Sequence, residues 1–497
     1  MTAHDEKSGQ GKRLSPQIRE FKGVNLTDAR QAIEDGEFAW LENAMTVGKG
    51  LVQLTPAAGP TVVTLAQGIA SMTGVVLSAN PVLIVVGSDG SLTQVTPAGI
   101  PTTIAAAGTV TTAAKVTMWR ASPVLILDPV KGYFSWDGTT FTTIDATKLG
   151  TSLAVYSGRA WLLNGRTRLF TAPGTYNDFT AGNGSGSSVL TDESFPGNIV
   201  RGLSALDQLW QFGGGAINAI SNVQVPTGST QPTYSDTNIV STIGTVNPAS
   251  IVAFFRAMAF MTAAGVYSLV GVTPQKLSDK LDGLFPLLTL TPDTPAALLF
   301  LGQLPVLCFL VTYQDPVGGP RPLLLCYSQG KWFFGSQGAL TWITSLLVNG
   351  AWQGWGTDGT NIYRLFGAAA TTPVAYKIQS KLFDFGSAVQ SKEAFKFMLE
   401  FSAPYQINPT ITLDTGFKGS TIPITLTSVV TWVNNVRQTV TWQNVALQTV
   451  PWITAGMVQA FAKAEMQGTY LGWTIAGTDP PWKFSGVAME IEPRTEW

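Results

Sequence analysis

Apolar residues along the chain recur with a period nearer two than 3.6, in short runs separated by small or turn-forming residues. The stretch Ser250 to Gly271, SIVAFFRAMAFMTAAGVYSLVG, shows the grammar. It reads as an apolar strand, a break at Arg256, a second apolar strand, a turn at Ala263-Ala264-Gly265 and a third short strand, Val266 to Val270.

The same meander returns elsewhere. Gly74 to Val95 carries turns at Asn80-Pro81 and Ser88-Asp89-Gly90, and Lys115 to Ile144 turns at Ser122-Pro123, Gly132 and Asp137-Gly138. Leu153 to Phe170 turns at Ser157-Gly158 and Asn164-Gly165. Asp-Gly and Asn-Gly between apolar runs signal hairpins, because two-residue turns require positive φ. Gly202 to Ser221, Leu298 to Cys326 and Thr344 to Phe366 repeat the pattern. Units begin roughly 40 to 50 residues apart, the period of a four-stranded propeller blade. The expected fold is all-β: a β-propeller of six or seven blade-like meanders over residues 61–373, with a long series of β-sandwiches as the competing reading. Two polar stretches, 171–198 and 223–248, read as surface insertions and hence as candidate contact loops.

Either end differs. Residues 1–20 read as a flexible arm and 21–60 as an N-terminal docking segment. In the latter, Thr27 or Asp28 is expected to cap a helical turn ended by Gly36, with Phe38 and Leu41 as its apolar face. Gly48-Lys49-Gly50 then turns the chain into a strand, Leu51 to Leu54. Residues 374–497 read as a C-terminal antiparallel β-sandwich-like domain. There YLGWTIAG and KFSGVAMEIEP, joined through Asp479-Pro480-Pro481, are expected to form a closing hairpin.

Composition narrows the function. Charged residues make up 12% of the chain, and 30 Lys+Arg against 31 Asp+Glu give a net charge of -1. This excludes a global basic footprint for nucleic acid. Low charge with 15 Trp favours large protein–protein contacts and an obligate oligomer. Cys308 and Cys326 sit in apolar surroundings and read as buried free thiols on neighbouring strands, with a disulfide across the intervening Pro/Gly-rich loop as the alternative. The single histidine, His4, lies in the polar N-terminal tail, which leaves no basis for histidine catalysis or a His-rich metal site. The N-terminal residues lack the apolar core of a signal peptide. The longest apolar region, Ala296 to Val311, is broken by Gly302-Gln303 and Pro305, so a soluble chain made in the cytoplasm is expected, without stable membrane insertion.

Candidate chemistry is sparse. Gly182-Asn183-Gly184-Ser185-Gly186 lacks the Lys-Ser/Thr of a phosphate loop, and Gly213-Gly214-Gly215 reads as a tight turn. Asp192-Glu193 and Asp279/Asp282 are the best carboxylate clusters for a glycosidase, but adjacent residues on extended chain point apart, and Ser278 to Gly283 reads as a turn. Trp352, Trp355, Trp432, Trp442 and Trp452 are the aromatics available for a sugar- or base-stacking surface, against the commoner use in core and interface. No catalytic, cofactor-binding or metal residues are assigned, and the chain is expected not to be an enzyme.

Several segments carry a family resemblance. They include F-x-G-V-N and D-G-E-F-x-x-L-x-N (Phe21, Gly23 to Asn25, Asp35 to Phe38, Leu41, Asn43), and R-A-W-L-L-N-G with L-F-T-A-P-G-T-Y-N-D-F (Arg159 to Gly165, Leu169 to Phe179). T-D-E-S-F-P-G-N-I (Thr191 to Ile199), I-G-T-V-N-P-x-S-I-V (Ile243 to Val252) and G-V-Y-S-L-x-G-x-x-P-Q-K-L-S-D-K-L-D (Gly265 to Asp282) continue it, as does G-T-Y-L-G-W-T-I-A-G-T-D-P (Gly468 to Pro480). Together these resemble the tail nozzle or hub proteins of short-tailed bacteriophages, the tail tubular protein B or packaged-DNA stabilisation family. The resemblance implies a propeller with extra β-domains and a homohexameric ring in the virion tail. It further implies docking beneath the portal or head-to-tail adaptor, with tail fibres, spikes or a needle as further partners and DNA passing through the lumen without sequence-specific binding. It supplies no catalytic residues and no cofactor. A charge-poor chain suits a conduit that must not hold DNA tightly, since each phosphate neutralised by Lys or Arg strengthens binding. A ring also needs heterologous contacts that close by rotation, for which the Gly/Ser loop and the C-terminal domain are the candidates. A receptor- or glycan-binding propeller module is the alternative.

Overall fold

The computed structural model describes residues 13–494 apart from 228, 255, 292, 405, 417, 424–428, 431, 434–438, 441–451 and 454–456. The chain divides into two compact units: Ala58–Ser328 with Gln337–Gly367, and Met1–Ala57 with Gln329–Ser336 and Ala368–Trp497.

The first unit is a β-propeller. Blades one to five are four-stranded antiparallel meanders over 69–105, 115–145, 152–189, 201–240 and 252–276. Blade six contributes Ala296–Leu301, Leu304–Asp315 and Gly319–Ser328 to this unit. Blade seven is Trp342–Val348, Ala351–Thr357 and Asn361–Arg364, and its outermost strand is Thr61–Thr64, from the other end of the propeller sequence. Pairing the first strand with the last blade closes the circle by hydrogen bonds, so no blade is left as a bare edge. The inner strands Ile69–Leu77, Lys115–Met118, Ser152–Tyr156, Arg201–Ala205, Val252–Phe254, Ala296–Leu301 and Trp342–Val348 succeed one another around the axis, and the seventh packs beside the first. The six-or-seven alternative therefore resolves to seven.

Alternation explains how the blades hold together. Along Val124–Asp128 every residue is buried, because a middle strand has a neighbouring blade on both faces. One face packs Val124 and Ile126 with Phe134 and Trp136 against Ile84 and Val86 of blade one. The other packs Leu125, Leu127 and Tyr133 against Leu153, Ala160 and Leu162 of blade three. Each such side chain contributes about 1.5–3 kcal/mol of burial. The outer strand Phe141–Asp145 meets solvent and is polar on that side.

The two polar insertions are only partly insertions. Residues 171–198 contain the strand Gly186–Val189, and 223–248 contain Thr233–Val240, the outer strands of blades three and four. Their Ser- and Thr-rich sequences read as loop because outer strands are half-solvated and need few apolar residues.

The second unit is a β-sandwich. One sheet runs Ala44–Val47, Leu51–Leu54, Lys483–Pro493, Lys392–Ser402 and Val458–Gly468, with Gln17–Ile18 also paired to Lys483–Pro493. The other runs Lys331–Gly335, Glu37–Glu42, Val374–Ser380, Gly472–Asp479, Thr410–Asp414 and Gly419–Pro423. Between them Trp473 meets Phe38, Phe397 and Phe484 at ring-centroid distances of 6.2, 6.3 and 6.5 Å.

Four expectations are corrected here. Residues 13–20 are not a free arm: Leu14 bridges Ile491, and Gln17 and Ile18 pair with Ala488 and Val487; residues 1–12 lie outside the described residues. Residues 21–60 are not a separate docking segment: Glu37–Glu42 and Leu51–Leu54 are interior strands, one in each sheet, and Arg30 grips Asp414 with two hydrogen bonds of 2.7 and 3.0 Å. No helical turn forms at Thr27 or Asp28. The Asn25 side chain instead accepts the Thr27 N–H, and Glu37–Glu42, which holds both Phe38 and Leu41, is a strand buried over most of its length. The expected closing hairpin does not form either: Gly472–Asp479 and Lys483–Pro493 belong to opposite sheets. Pro480 and Pro481 lack the N–H groups that a tight hairpin would use, so the chain crosses between layers there.

Candidate functional site

The propeller places its polar chemistry in three kinds of position: loop clamps, buried knots and the axial channel. The clamps involve the two polar stretches flagged from sequence. Arg166, at the turn after Asn164-Gly165, donates to the carbonyls of Leu190, Phe195, Asp192 and Gly197 at 2.6, 2.6, 2.9 and 3.1 Å. A planar guanidinium can serve several acceptors at once, so one side chain shapes the whole 190–197 loop. Arg159, 2% exposed, likewise donates to the carbonyls of Thr171 and Gly184, both at 2.6 Å. That contact accounts for the Gly182 to Gly186 run, whose Gly184 has φ +83° in a turn and not in a phosphate loop.

Asp192 sits within the clamped loop. Its carboxylate accepts the Ser194 hydroxyl at 2.6 Å, the Ser194 N–H at 2.8 Å and the Asn238 amide at 2.9 Å. The Ser194 hydroxyl and the Asn238 amide hold its pKa down at about 2. A carboxylate fixed in its ionised form by its own loop is a poor general acid. Glu193 is exposed beside it. The second pair is also structural: Asp279 begins a short 3-10 turn, and Asp282 forms an ion pair of 2.6 Å with Lys276.

Buried knots carry the remaining motif residues. Thr245, Asn247 and Ser250 are almost fully buried, and all bond to backbone. The Thr245 hydroxyl and Asn247 amide donate to the Met261 carbonyl, while Ser250 donates to the Asn247 carbonyl and accepts the Met261 N–H. Ser278 accepts the Val266 N–H at 2.9 Å. Gly213 opens the Gly213-Gly214-Gly215 turn, and a Cβ there would meet the Phe195 ring at 2.6 Å. The glycine therefore lets the clamped loop insert its aromatic anchor.

The aromatics separate. Trp355 is 2% exposed and belongs to the core between blades one and seven, whereas Trp352 is 37% exposed. Sequence placed both on a candidate stacking surface, but they are three apart on a strand and face opposite sides. Trp442 lies outside the described residues, and Trp432 and Trp452 are placed only as members of short strand pairs. Cys308 and Cys326 are directly opposed on neighbouring strands, buried and free, with sulfurs 3.6 Å apart.

The third position was not flagged from sequence. The axis of the propeller holds a cavity of about 270 Å³, lined along several inner strands by residues that include Lys115, Ser152 and Arg201. Cationic residues at strand starts read as solvated turn ends, so nothing in the sequence alone brought them together. No group of three or more His, Cys, Asp or Glu that could hold a metal occurs among the described residues. No helix among them is long and apolar enough to cross a membrane.

No family model and no curated protein matches the chain. Among solved structures it is similar to a streptogramin B lyase at 11% identity and TM-score 0.37, covering 63% of this chain and 96% of that one. It is also similar to BamB from Moraxella catarrhalis (12% identity, TM-score 0.33, covering 71% of this chain and 98% of that one). Virginiamycin B lyase from Staphylococcus aureus gives 12% identity and TM-score 0.34, covering 71% of this chain and 99% of that one. At such values the likeness says nothing of activity, and the hydrogen-bond ladders of the chain itself define its propeller.

Proposed function

We propose that this chain is a structural protein of a short-tailed bacteriophage tail, a nozzle or hub subunit. In this reading identical copies close into a ring, of six by the family resemblance, that continues the DNA channel below the portal or adaptor, retains the packaged genome and lets it leave at ejection. The observation that carries the reading is where the motif polar groups go. Arg159, Thr245, Asn247, Ser250 and Ser278, all within segments that resemble the nozzle family, are buried and bonded to backbone. Residues that recur for catalysis converge on a cleft with open valences. Residues that hold a scaffold saturate carbonyls and amides, as these do.

Two further features favour the reading. The 12% charged composition with a net charge of -1 suits a conduit that DNA must leave quickly. The clamped 190–197 loop offers a pre-ordered contact surface, which lowers the entropic cost of assembly. The test is immunogold labelling of purified particles with antibody raised against the chain. Label at the tail vertex is expected, and intact tails from which the chain is absent by protein mass spectrometry would refute the assignment.

A further inference from the structure

The axial cavity differs in kind from the saturated clamps and knots. Lys115 begins the inner strand of blade two and Arg201 that of blade four, and both side chains line the cavity. Inner strands of a propeller all run the same way, so their first residues lie at one end of the axis. The Lys115 side chain has no hydrogen bond or ion pair among the described residues. Among the described residues the Arg201 side chain makes one hydrogen bond, to the carbonyl of Pro248, which also lines the cavity. Among the described residues the carboxylate acting on Lys115 is that of Asp293, which is exposed.

Both cations resist burial. Burial pulls the Lys115 ammonium below its usual value, partly offset by Asp293 and reinforced by the nearby Arg201 charge. Burial pulls the Arg201 guanidinium down to about 10, so it stays charged at neutral pH. Both residues are half-buried along the cavity, and two like charges placed near each other there with so little compensation favour an anion between them. The rest of the lining supplies donors. Ser71, Thr117 and Ser204 also line the cavity, and their hydroxyls make no hydrogen bond among the described residues.

We propose that the axial cavity of the propeller is a binding site for a small oxyanion of the phosphate type, held between Lys115 and Arg201 with hydroxyl donors around it. The anion would supply the charge that the lining lacks, and each charge-assisted bond adds to its affinity. The site is independent of ring formation, since every lining residue belongs to one propeller.

The test is calorimetric titration of the full chain with inorganic phosphate at constant ionic strength, with chloride as the reference salt. Wild type should show saturable binding. Lys115→Met and Arg201→Gln should each weaken it about tenfold or more, the loss of one charge-assisted bond, while Lys131→Met, at an exposed turn, should bind as wild type does. Thermal melts give a second reading. Without phosphate, Lys115→Met should melt at or above the wild-type temperature, since it removes an uncompensated charge, and it should lose the upward shift that phosphate gives wild type. Absence of saturable heat from wild type would overturn the proposal, as would equal phosphate responses in wild type and Lys115→Met.

Discussion

The Thr64 hydroxyl donates a 2.7 Å hydrogen bond to the side-chain oxygen of Asn361, across the seam where the first propeller strand joins the last blade. The two residues are also register partners in the ladder that closes the ring of blades. A seam between distant parts of the sequence is the place where the circle can open. A disulfide from Thr64→Cys with Asn361→Cys should therefore stabilise the propeller by roughly 2–4 kcal/mol. Thermal melts should show a higher transition for the oxidised double variant than for its reduced form. Equal melting of the two forms would mean that the seam does not limit stability.

Much of this architecture is legible in the sequence because blades are local. Asp137-Gly138 and Asn164-Gly165 mark turns within single blades, and the meander from Ser250 to Gly271 appears with its break at Arg256 and its Ala263-Ala264-Gly265 turn in place. What sequence could not supply is pairing over long separations. Thr61–Thr64 joins Asn361–Arg364, Glu37–Glu42 joins Val374–Ser380, and Leu51–Leu54 joins Lys483–Pro493. Each of these strands is short, and nothing in its own residues names its partner. The site followed the same rule. Asp192 is visible as a carboxylate, but its tie to Asn238 depends on Thr233–Val240 being a strand, which its polar residues disguise. Lys115 and Arg201 share a cavity only because the inner strands of separate blades gather around the propeller axis.

Arg166 is the keystone of the 190–197 loop. Arg166→Ala removes the donor for four carbonyls and should cost about 1–3 kcal/mol. Amide exchange should accelerate over residues 190–199 while the middle strands of blade three stay protected. Arg166→Lys should rescue little, because a single ammonium cannot span the four acceptors. Full rescue by lysine would contradict the clamp.

Asp192 should make the same loop sensitive to acid. The Ser194 hydroxyl and Asn238 amide depress its pKa to about 2, below the value of about 4 expected in an unfolded chain. Stabilisation from the carboxylate is therefore complete above about pH 4 and is lost as pH falls through about 2. Hydrogen exchange at the Ser194 amide, corrected for intrinsic rate, should lose protection over that window. Asp192→Asn should start less protected at neutral pH and show no further loss. An unchanged acid response in Asp192→Asn would assign the effect elsewhere.

Cys308 and Cys326 should be inert while the propeller is folded. Burial raises the Cys326 thiol well above its ordinary value, and contact with Cys308 raises it further. The thiolate is the reacting species. A thiol-reactive chromophore should therefore label neither residue in the native chain and both in denaturant. Rapid native labelling would place the pair outside the core.

The central claim is that copies of this scaffold close into a ring. Its most direct measurement is native mass spectrometry of the purified full chain under assembly conditions, with electron microscopy of the same sample. Closed rings of identical 52.8 kDa subunits, six by the family resemblance, are predicted. A sample that stays monomeric under those conditions, without ring-shaped particles, would contradict the account.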